Sequence, residues 1–151
     1  MERRFESVVS ATPERVWQWV TSMKCINREL SPLMRMTHPA DRESLGDVEL
    51  EMPAHLFDSL LLLFGWLPID RSRLTLLELE PGRRFLERSP MLAMKLWQHE
   101  RTVEASGGGT RVVDRLSFEP RLASFLVVRF VEVLFRHRHA VIRRELGAGP
   151  T

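Results

Sequence analysis

KLWQHERTV at residues 95–103 and RVVDRLSFE at residues 111–119 flank a turn of glycines at 107–109. Apolar and polar side chains alternate along both segments, which is typical of β-strands with one buried face. Glycine has the backbone freedom that a tight connection between two strands requires. The stretch therefore predicts an antiparallel hairpin, and the rest of the fold can be built outward from it.

The register of this hairpin carries polar side chains into the protein. Alternation places Val112, Leu116 and Phe118 on the core face of the second strand, and Asp114 lies on the same face. Closure about the glycines predicts these cross-strand pairs: Val103 with Val112, Arg101 with Asp114, His99 with Leu116, and Trp97 with Phe118. An inner surface with an ion pair, a histidine and a tryptophan is either a polar core or the wall of a pocket.

Length and composition indicate one globular domain. The chain has 151 residues, of which 44% are hydrophobic and 28% charged, and its formal net charge is +2. A chain of this length can bury a core of its own, and so small a net charge does not imply a nucleic-acid partner. We expect a single domain over residues 1–147 with a loose tail at 148–151, present as a monomer or a homodimer.

The cysteine content and the apolar runs bear on location. Cys25 is the only cysteine, so no intramolecular disulfide can form, which fits a reducing compartment. The N-terminal residues have no apolar signal core. The longest apolar run, residues 60–67, is far shorter than the ~20 residues of a membrane span. We therefore expect a cytoplasmic protein without stable membrane insertion.

Local signals place the secondary structure along the chain. Thr12 can cap a helix that Pro13 begins, and Pro81-Gly82 is a turn between two strands. The segment at 56–64 fits either a buried strand or a short helix. The remaining predictions are strands at 2–10, 33–38, 48–52, 74–80, 84–88, 93–104 and 111–119, a short helix at 24–30 and a long helix at 121–146.

These elements predict an α+β fold. An antiparallel sheet has an apolar face to bury, and the economical solution is to curl that face around the long C-terminal helix. Helices that do not fill the curved face leave a cavity between sheet and helix. We expect such a pocket between the helix and the strands at 84–88, 93–104 and 111–119.

Several short motifs resemble the START-like, or SRPBCC, superfamily. They are SATPERVW at residues 10–17, EPGRRF at 80–85, GTRVVD at 109–114 and LFRHRH at 134–139. The chain is similar to this superfamily over nearly its whole length, with features of a bacterial ligand-binding subgroup that is polyketide cyclase/dehydrase-like. The resemblance implies the helix-grip fold, with a curved antiparallel sheet wrapped around a long C-terminal helix. It also implies binding of apolar small molecules between the two.

The predicted function is the binding of one apolar or amphipathic small molecule, such as a lipid, a polyketide or an isoprenoid-like compound. Large apolar residues would contact its body, and polar residues would orient its polar end. If Phe85 lies beside Trp97 in the sheet, Glu87 lies beside Lys95 on the same face. The candidate ligand-binding residues are Trp17, Phe85, Glu87, Trp97, His99, Arg101, Asp114, Phe118, Phe130 and Leu134.

Two other functions are alternatives. A cyclase or dehydratase acting on a polyketide-like substrate needs an acid or a base. His99 is a weak catalytic candidate, because its ordinary pKa is near neutrality, although a histidine among apolar neighbours is more often a hydrogen-bonded core residue. A co-chaperone-like interaction module would instead use the outer sheet face or the apolar segment at 56–67.

The charged residues also allow more than one interpretation. Arg101 and Asp114 form either a buried ion pair that holds the strand register or an anchor for a ligand headgroup. The basic end of the last helix is expected to complement the helix dipole and to stay solvated. His137 and His139 are two residues apart, so they do not share a helix face. Because no Cys or His spacing matches a metal site, we expect no metal and no organic cofactor.

Overall fold

Within residues 1–46 and 51–147, which the computed structural model describes, a seven-stranded antiparallel sheet curls around a long C-terminal helix. The predicted α+β architecture is confirmed. Neighbouring strands follow the order β1-β7-β6-β5-β4-β3-β2, so only β1 leaves the meander to pair with β7. The elements are β1 Glu2–Val9, α1 Pro13–Thr21, α2 Met23–Leu30, β2 Met34–Met36, β3 Ala54–Leu63, β4 Leu67–Glu80, β5 Arg84–Arg88, β6 Met94–Ser106, β7 Gly109–Pro120 and α3 Ser124–Leu146.

Side-chain caps begin the two short helices. The Thr12 hydroxyl accepts a hydrogen bond from the backbone N–H of Arg15, and Pro13 lies in the first turn of α1. Ser22 accepts from the N–H of Cys25 at the start of α2. A cap of this kind satisfies a backbone N–H that has no partner within the helix. Both helices occur where the sequence predicts them.

The β6–β7 hairpin has the predicted register. Arg101 pairs with Asp114, and Trp97 pairs with Phe118. The pairs of Val103 with Val112 and of His99 with Leu116 are confirmed as well. Both Arg101 and Asp114 are completely buried, so the alternation correctly placed their side chains on the inner face of the sheet.

The β5–β6 register differs from the predicted one. Phe85 lies opposite Arg101, and Glu87 lies opposite His99. The predicted neighbours, Trp97 for Phe85 and Lys95 for Glu87, are therefore wrong. Register is set by the length and path of the connection between two strands, and this connection is longer than a tight turn.

The path of that connection explains the difference. Met91 forms a bridge with Ser72 of β4. The Asp70 carboxylate accepts hydrogen bonds from the backbone N–H groups of Leu92 (2.8 Å) and Ala93 (3.1 Å). The chain therefore reaches across to β4 before β6 begins, and this detour moves β6 relative to β5.

The apolar segment at 56–64 lies in a strand, β3, and not in a helix. Of the predicted strand at 48–52, residues 48–50 lie outside the described residues, and so does the predicted tail at 148–151. The strand predicted at 74–80 is longer, because β4 begins at Leu67.

The C-terminal helix begins later than predicted. Residues 121–123 are not helical, because the N–H of Arg121 still donates to the carbonyl of Ala93 at the sheet and Ala123 has a left-handed backbone with φ of 51°. The chain turns at Ala123 and enters α3 at Ser124. None of the helices in the described part of the chain is long and apolar enough to cross a membrane.

The core lies between α3 and the inner face of the sheet. Phe135 packs with Leu116 and Phe118 of β7, and Ile142 packs with Val112 at the other end of the same strand. α2 also packs against this core, since Leu30 of α2 and Leu134 of α3 belong to the same apolar cluster. The buried side of α3 therefore packs against both β7 and α2.

Substitution of Gly109 by alanine should weaken the hairpin. A Cβ at this position would collide with the backbone carbonyl oxygen of Val9 on β1, and a backbone atom cannot rotate away. We expect a loss of about 1–3 kcal/mol in the free energy of unfolding, typical of overpacking. Urea unfolding followed by circular dichroism measures this loss.

The matched control is Gly108→Asn in the same turn. Gly108 has a positive φ of 86° with open space around it, and asparagine tolerates that backbone region better than other residues do. Equal losses in the two variants would show that turn conformation, and not the contact with β1, limits position 109.

Candidate functional site

A cavity of about 340 Å³ lies between α3 and the inner face of the sheet. Apolar side chains form most of its wall. This volume falls within the roughly 300–1,000 Å³ of ordinary small-molecule sites. α3 contributes Leu126, Val127, Phe130, Val131 and Leu134, and the sheet contributes Leu61, Ile69 and Trp97.

Polar groups also reach the cavity wall. Glu87, His99 and Arg138 all line the cavity and are all buried. The Glu87 Oε1 is 3.7 Å from the His99 Nδ1, and the Ser89 hydroxyl donates to the other Glu87 oxygen at 2.6 Å. A small molecule in the cavity would therefore meet an apolar wall and a group of charged side chains.

Asp114 organises the charged residues behind that wall. Arg101 donates to both of its oxygens, through Nε and Nη2, at 2.7 Å each. The His99 Nε2 is 2.6 Å from Oδ1, and the His139 Nε2 is 2.7 Å from Oδ2. His139 also shares a 2.6 Å hydrogen bond with Ser7 on β1. Asp114 thus holds together β6, β7 and α3.

Glu29 of α2 is a second buried anion in the same cluster, and it is completely inaccessible. Arg101 donates through Nη1 to both of its oxygens, at 3.0 and 3.1 Å. The Arg138 Nε and the Trp19 indole N–H also donate to it, at 3.0 and 2.8 Å. Buried charges are tolerated only with such partners, and three different side chains donate to this carboxylate.

These contacts shift the pKa values of the buried groups. Burial by itself raises the pKa of Asp114, but the charges of Arg101 and His99 outweigh it and hold the pKa well below its usual range. Burial lowers the pKa of Arg101, but Asp114 and Glu29 reverse the effect. For Arg138, burial and the repulsion of Arg101 lower the pKa. Asp114 is therefore an anion and Arg101 a cation throughout the physiological pH range.

The candidate residues divide between the cavity and the layer behind it. Trp17 packs edge-on against Phe85, with ring centroids 6.5 Å apart, and Phe85 packs edge-on against His99. Candidates that line the cavity are Glu87, Trp97, His99, Phe130 and Leu134. Those that support it from behind are Trp17, Phe85, Arg101, Asp114 and Phe118. Among the described residues, none from β7 belongs to the lining, contrary to the predicted pocket boundary.

Glu29, Arg138 and His139 were not among the predicted site residues. The expectation that the basic end of the last helix stays solvated is wrong for Arg138 and His139, which are buried. Arg138 follows Leu134 by four residues and therefore lies on the same buried stripe of α3. Helical spacing is the signal that identifies such residues, and Glu29 shows it too, since it follows the buried Ile26 by three residues.

Within the described ranges, no group of three or more His, Cys, Asp or Glu side chains is placed to hold a metal ion. His137 lies apart from the buried cluster and bonds the Ser31 carbonyl through Nε2 at 2.6 Å. The charged groups at the cavity have partners behind the wall, because His99 bonds Asp114 and Arg138 donates to Glu29.

Replacement of Asp114 by asparagine should strongly destabilise the protein. The substitution preserves shape but removes the charge that compensates the buried Arg101. Breaking a buried pair in this way costs about 3–5 kcal/mol. Urea unfolding measures the loss, and a midpoint equal to that of the unmodified protein would contradict the role of Asp114.

Glu104→Gln in the same hairpin is the matched control. Glu104 pairs across the strands with Arg111 at 3.6 Å, but both side chains are exposed. Exposed pairs contribute less than about 1 kcal/mol. A similar loss in the two variants would show that pairing in the hairpin matters more than burial.

The pH dependence of the free energy of unfolding should report the raised pKa of His99. Burial lowers its pKa, but the charge and hydrogen bond of Asp114 outweigh burial and raise the pKa above the ordinary value of 6.5. The resulting stabilisation is fully present below pH 6.5 and is lost as the pH rises through the folded-state pKa. We expect the His99→Gln variant to show a flatter decline in the free energy of unfolding over that window.

The exposed His55 provides the comparison for this experiment. Its side chain is 41% exposed on the outer face of the sheet. His55→Gln controls for the loss of an imidazole at an exposed position. If His99→Gln and the wild type have the same slope above pH 6.5, the buried partners do not raise the pKa of His99.

Comparison with known proteins gives the family of this chain. A family model described as a domain of unknown function (DUF8410) matches residues 7–146. No curated protein sequence matches the chain.

Solved structures of the same fold cover almost the whole chain. A START superfamily protein from Mycobacterium smegmatis is 9% identical, with a TM-score of 0.67 over 96% of both chains. A protein from Chromobacterium violaceum is 16% identical, with a TM-score of 0.66 over 93% of this chain and 96% of its own. A protein of the dynemicin biosynthetic locus is 17% identical, with a TM-score of 0.58 over 95% of this chain and 47% of its own.

At these identities the structural similarity concerns the fold alone. It confirms the resemblance to the START-like superfamily that the sequence motifs indicated. Since the family model spans residues 7–146, the chain belongs to the DUF8410 family, and its fold is the START-like helix-grip fold.

Proposed function

We propose that the protein binds one amphipathic small molecule in the cavity between α3 and the sheet. The observation that carries this proposal is the lining itself, which combines an apolar wall with Glu87, His99 and Arg138 in a space of about 340 Å³. Few, well-placed polar groups in an apolar cleft are characteristic of sites that orient a ligand. A core without a ligand would leave this volume unfilled, which protein interiors generally avoid.

The apolar wall favours an apolar ligand body. Met34, Met36, Met91 and Met94 line the cavity, and methionine side chains adapt to irregular shapes. Trp97 and Phe130 add flat aromatic surfaces. Lipids, polyketides and isoprenoid-like compounds all meet this description.

An enzyme of the cyclase or dehydratase type is a second candidate. The observation that favours it is the hydrogen bond that orients His99, whose Nε2 is held by Asp114 while its Nδ1 side faces Glu87 at the cavity. A histidine fixed by a carboxylate on one nitrogen can transfer a proton through the other. Turnover of an unsaturated polyketide-like substrate that disappears in His99→Gln, with binding retained, would support this candidate.

The interaction-module alternative has less support. Phe64 and Trp66 are exposed at the β3–β4 turn, at 60% and 71%, so an apolar surface is available there. An interaction module, however, needs no internal cavity, whereas the cavity accounts for the polar groups at the wall. Ligand binding therefore explains more of the structure.

Filling the cavity tests the binding proposal. Val131 lines the cavity and is 4% exposed, whereas Val133 on the same helix is 40% exposed and does not line it. We expect Val131→Phe to lose binding of fatty acids, isoprenoid alcohols and polycyclic aromatics, and Val133→Phe to retain it. Native mass spectrometry detects the added mass of each bound compound.

Two outcomes would contradict the proposal. One is the absence of added mass with every compound of this panel. The other is equal binding by Val131→Phe and the wild type, which would place the ligand outside the cavity.

A further inference from the structure

We infer that the cavity is specific for an apolar carboxylic acid, whose carboxylate is bound by Arg138 while its tail points along α3 toward the mouth. This inference rests on the proposed function and names the ligand class and the residue that selects it. It also gives the ligand a direction, with the charged head innermost.

Arg138 has hydrogen-bond donors without a partner among the described residues. Its Nε donates to Glu29 at 3.0 Å, but among the hydrogen bonds of the described residues none involves its Nη1 or Nη2. The side chain is 7% exposed and lines the cavity. Neither atom is among the sealed, unpartnered atoms of the described part of the chain. Because Arg138 lines the cavity, a ligand there can reach its guanidinium group.

The neighbouring Arg101 provides a contrast. Its Nε, Nη1 and Nη2 all donate to carboxylates, and it is completely buried. Asp114 and Glu29 raise its pKa despite its burial, whereas burial and the repulsion of Arg101 lower the pKa of Arg138. Fewer acceptors therefore compensate the positive charge of Arg138 than that of Arg101. A bound anion beside Arg138 would add the missing acceptor.

The other charged groups of the lining already have partners within the chain. Asp70 accepts hydrogen bonds from the N–H groups of Arg71, Leu92 and Ala93. Glu87 accepts from Ser89 and faces His99, which is held by Asp114. Of the charged side chains that line the cavity in the described residues, Arg138 therefore has the donors left for a ligand. A guanidinium edge with two N–H groups matches a carboxylate in geometry and charge.

The position of Arg138 gives the direction of the ligand. Leu126 and Ile69 line the cavity but are 68% and 44% exposed, so they mark its mouth. Arg138 lies twelve residues beyond Leu126 on the same helix, which corresponds to about 18 Å. Apolar side chains of α3 line the interval between them. A linear apolar chain fits this path with its carboxylate at the buried end.

The first experiment compares dodecanoate with dodecanol, which has the same tail and no charge. We expect calorimetry to show that the wild type prefers dodecanoate by about tenfold or more, as charge-assisted hydrogen bonds permit. Arg138→Gln should lose that preference while still binding dodecanol. Arg136→Gln, on the exposed side of the same helix with a side chain 64% exposed, should keep it.

The outcomes separate this inference from the proposed function. If neither compound binds to the wild type, both are overturned. If dodecanol binds the wild type as tightly as dodecanoate, or if Arg138→Gln keeps the preference, only the inference is overturned. Arg138→Lys retains the charge but not the paired donors, and we expect it to keep part of the preference.

A measurement on the wild type alone covers the case in which Arg138 variants do not fold. Dodecanoate labelled with ¹³C at the carboxyl carbon reports its own ionisation by NMR. Beside Arg138 the bound carboxyl should stay ionised from about pH 7.5 to about pH 5.5, because a nearby cation lowers its pKa. A signal that moves to the protonated position over this range would show a carboxyl buried without a cation and would overturn the inference.

Discussion

The two-point contact between Arg101 and Asp114 is the constraint on which the rest of the interior depends. Both side chains are completely buried at the centre of the β6–β7 hairpin, where an unpaired charge would be very costly. Each therefore requires further partners, and these come from other elements. Glu29 extends from α2 to meet Arg101, and His139 extends from α3 to meet Asp114. The pair thus specifies how both helices sit against the sheet.

The cavity lies against this cluster. His99 and Arg138 belong to the cluster and also line the cavity. Arg138 bonds Glu29 behind the wall and lines the cavity in front. The ion-pair cluster and the cavity therefore share residues. A substitution deep in the cluster is expected to alter both stability and binding, which is why matched surface variants are needed to interpret either effect.

Much of the fold could be predicted because it depends on local patterns. Alternation and the glycine turn predicted the hairpin register and the inward position of Asp114, since a strand has a side-chain period of two and a short turn leaves little freedom in pairing. The resemblance of short motifs predicted the helix-grip fold. The predicted β5–β6 register was wrong because it depends on a contact outside the two strands. Asp70 on β4 holds the connection between β5 and β6. The sequence of the connection does not reveal this contact.

The sequence by itself determined the architecture and the buried Arg101–Asp114 pair. Trp97 and His99, two of the expected ligand-binding residues, line the cavity, and their contact with a ligand stays a prediction. Only the tertiary structure decided which charged residues share one cluster. Glu29 and Arg138 are 109 positions apart, so no spacing rule connects them. Helical periodicity can show that a charged residue faces the core, but the partner that makes its burial tolerable comes from a distant element. The Arg138 donors without a partner among the described residues are likewise a property of the packed chain, because they depend on which other donors and acceptors are already paired.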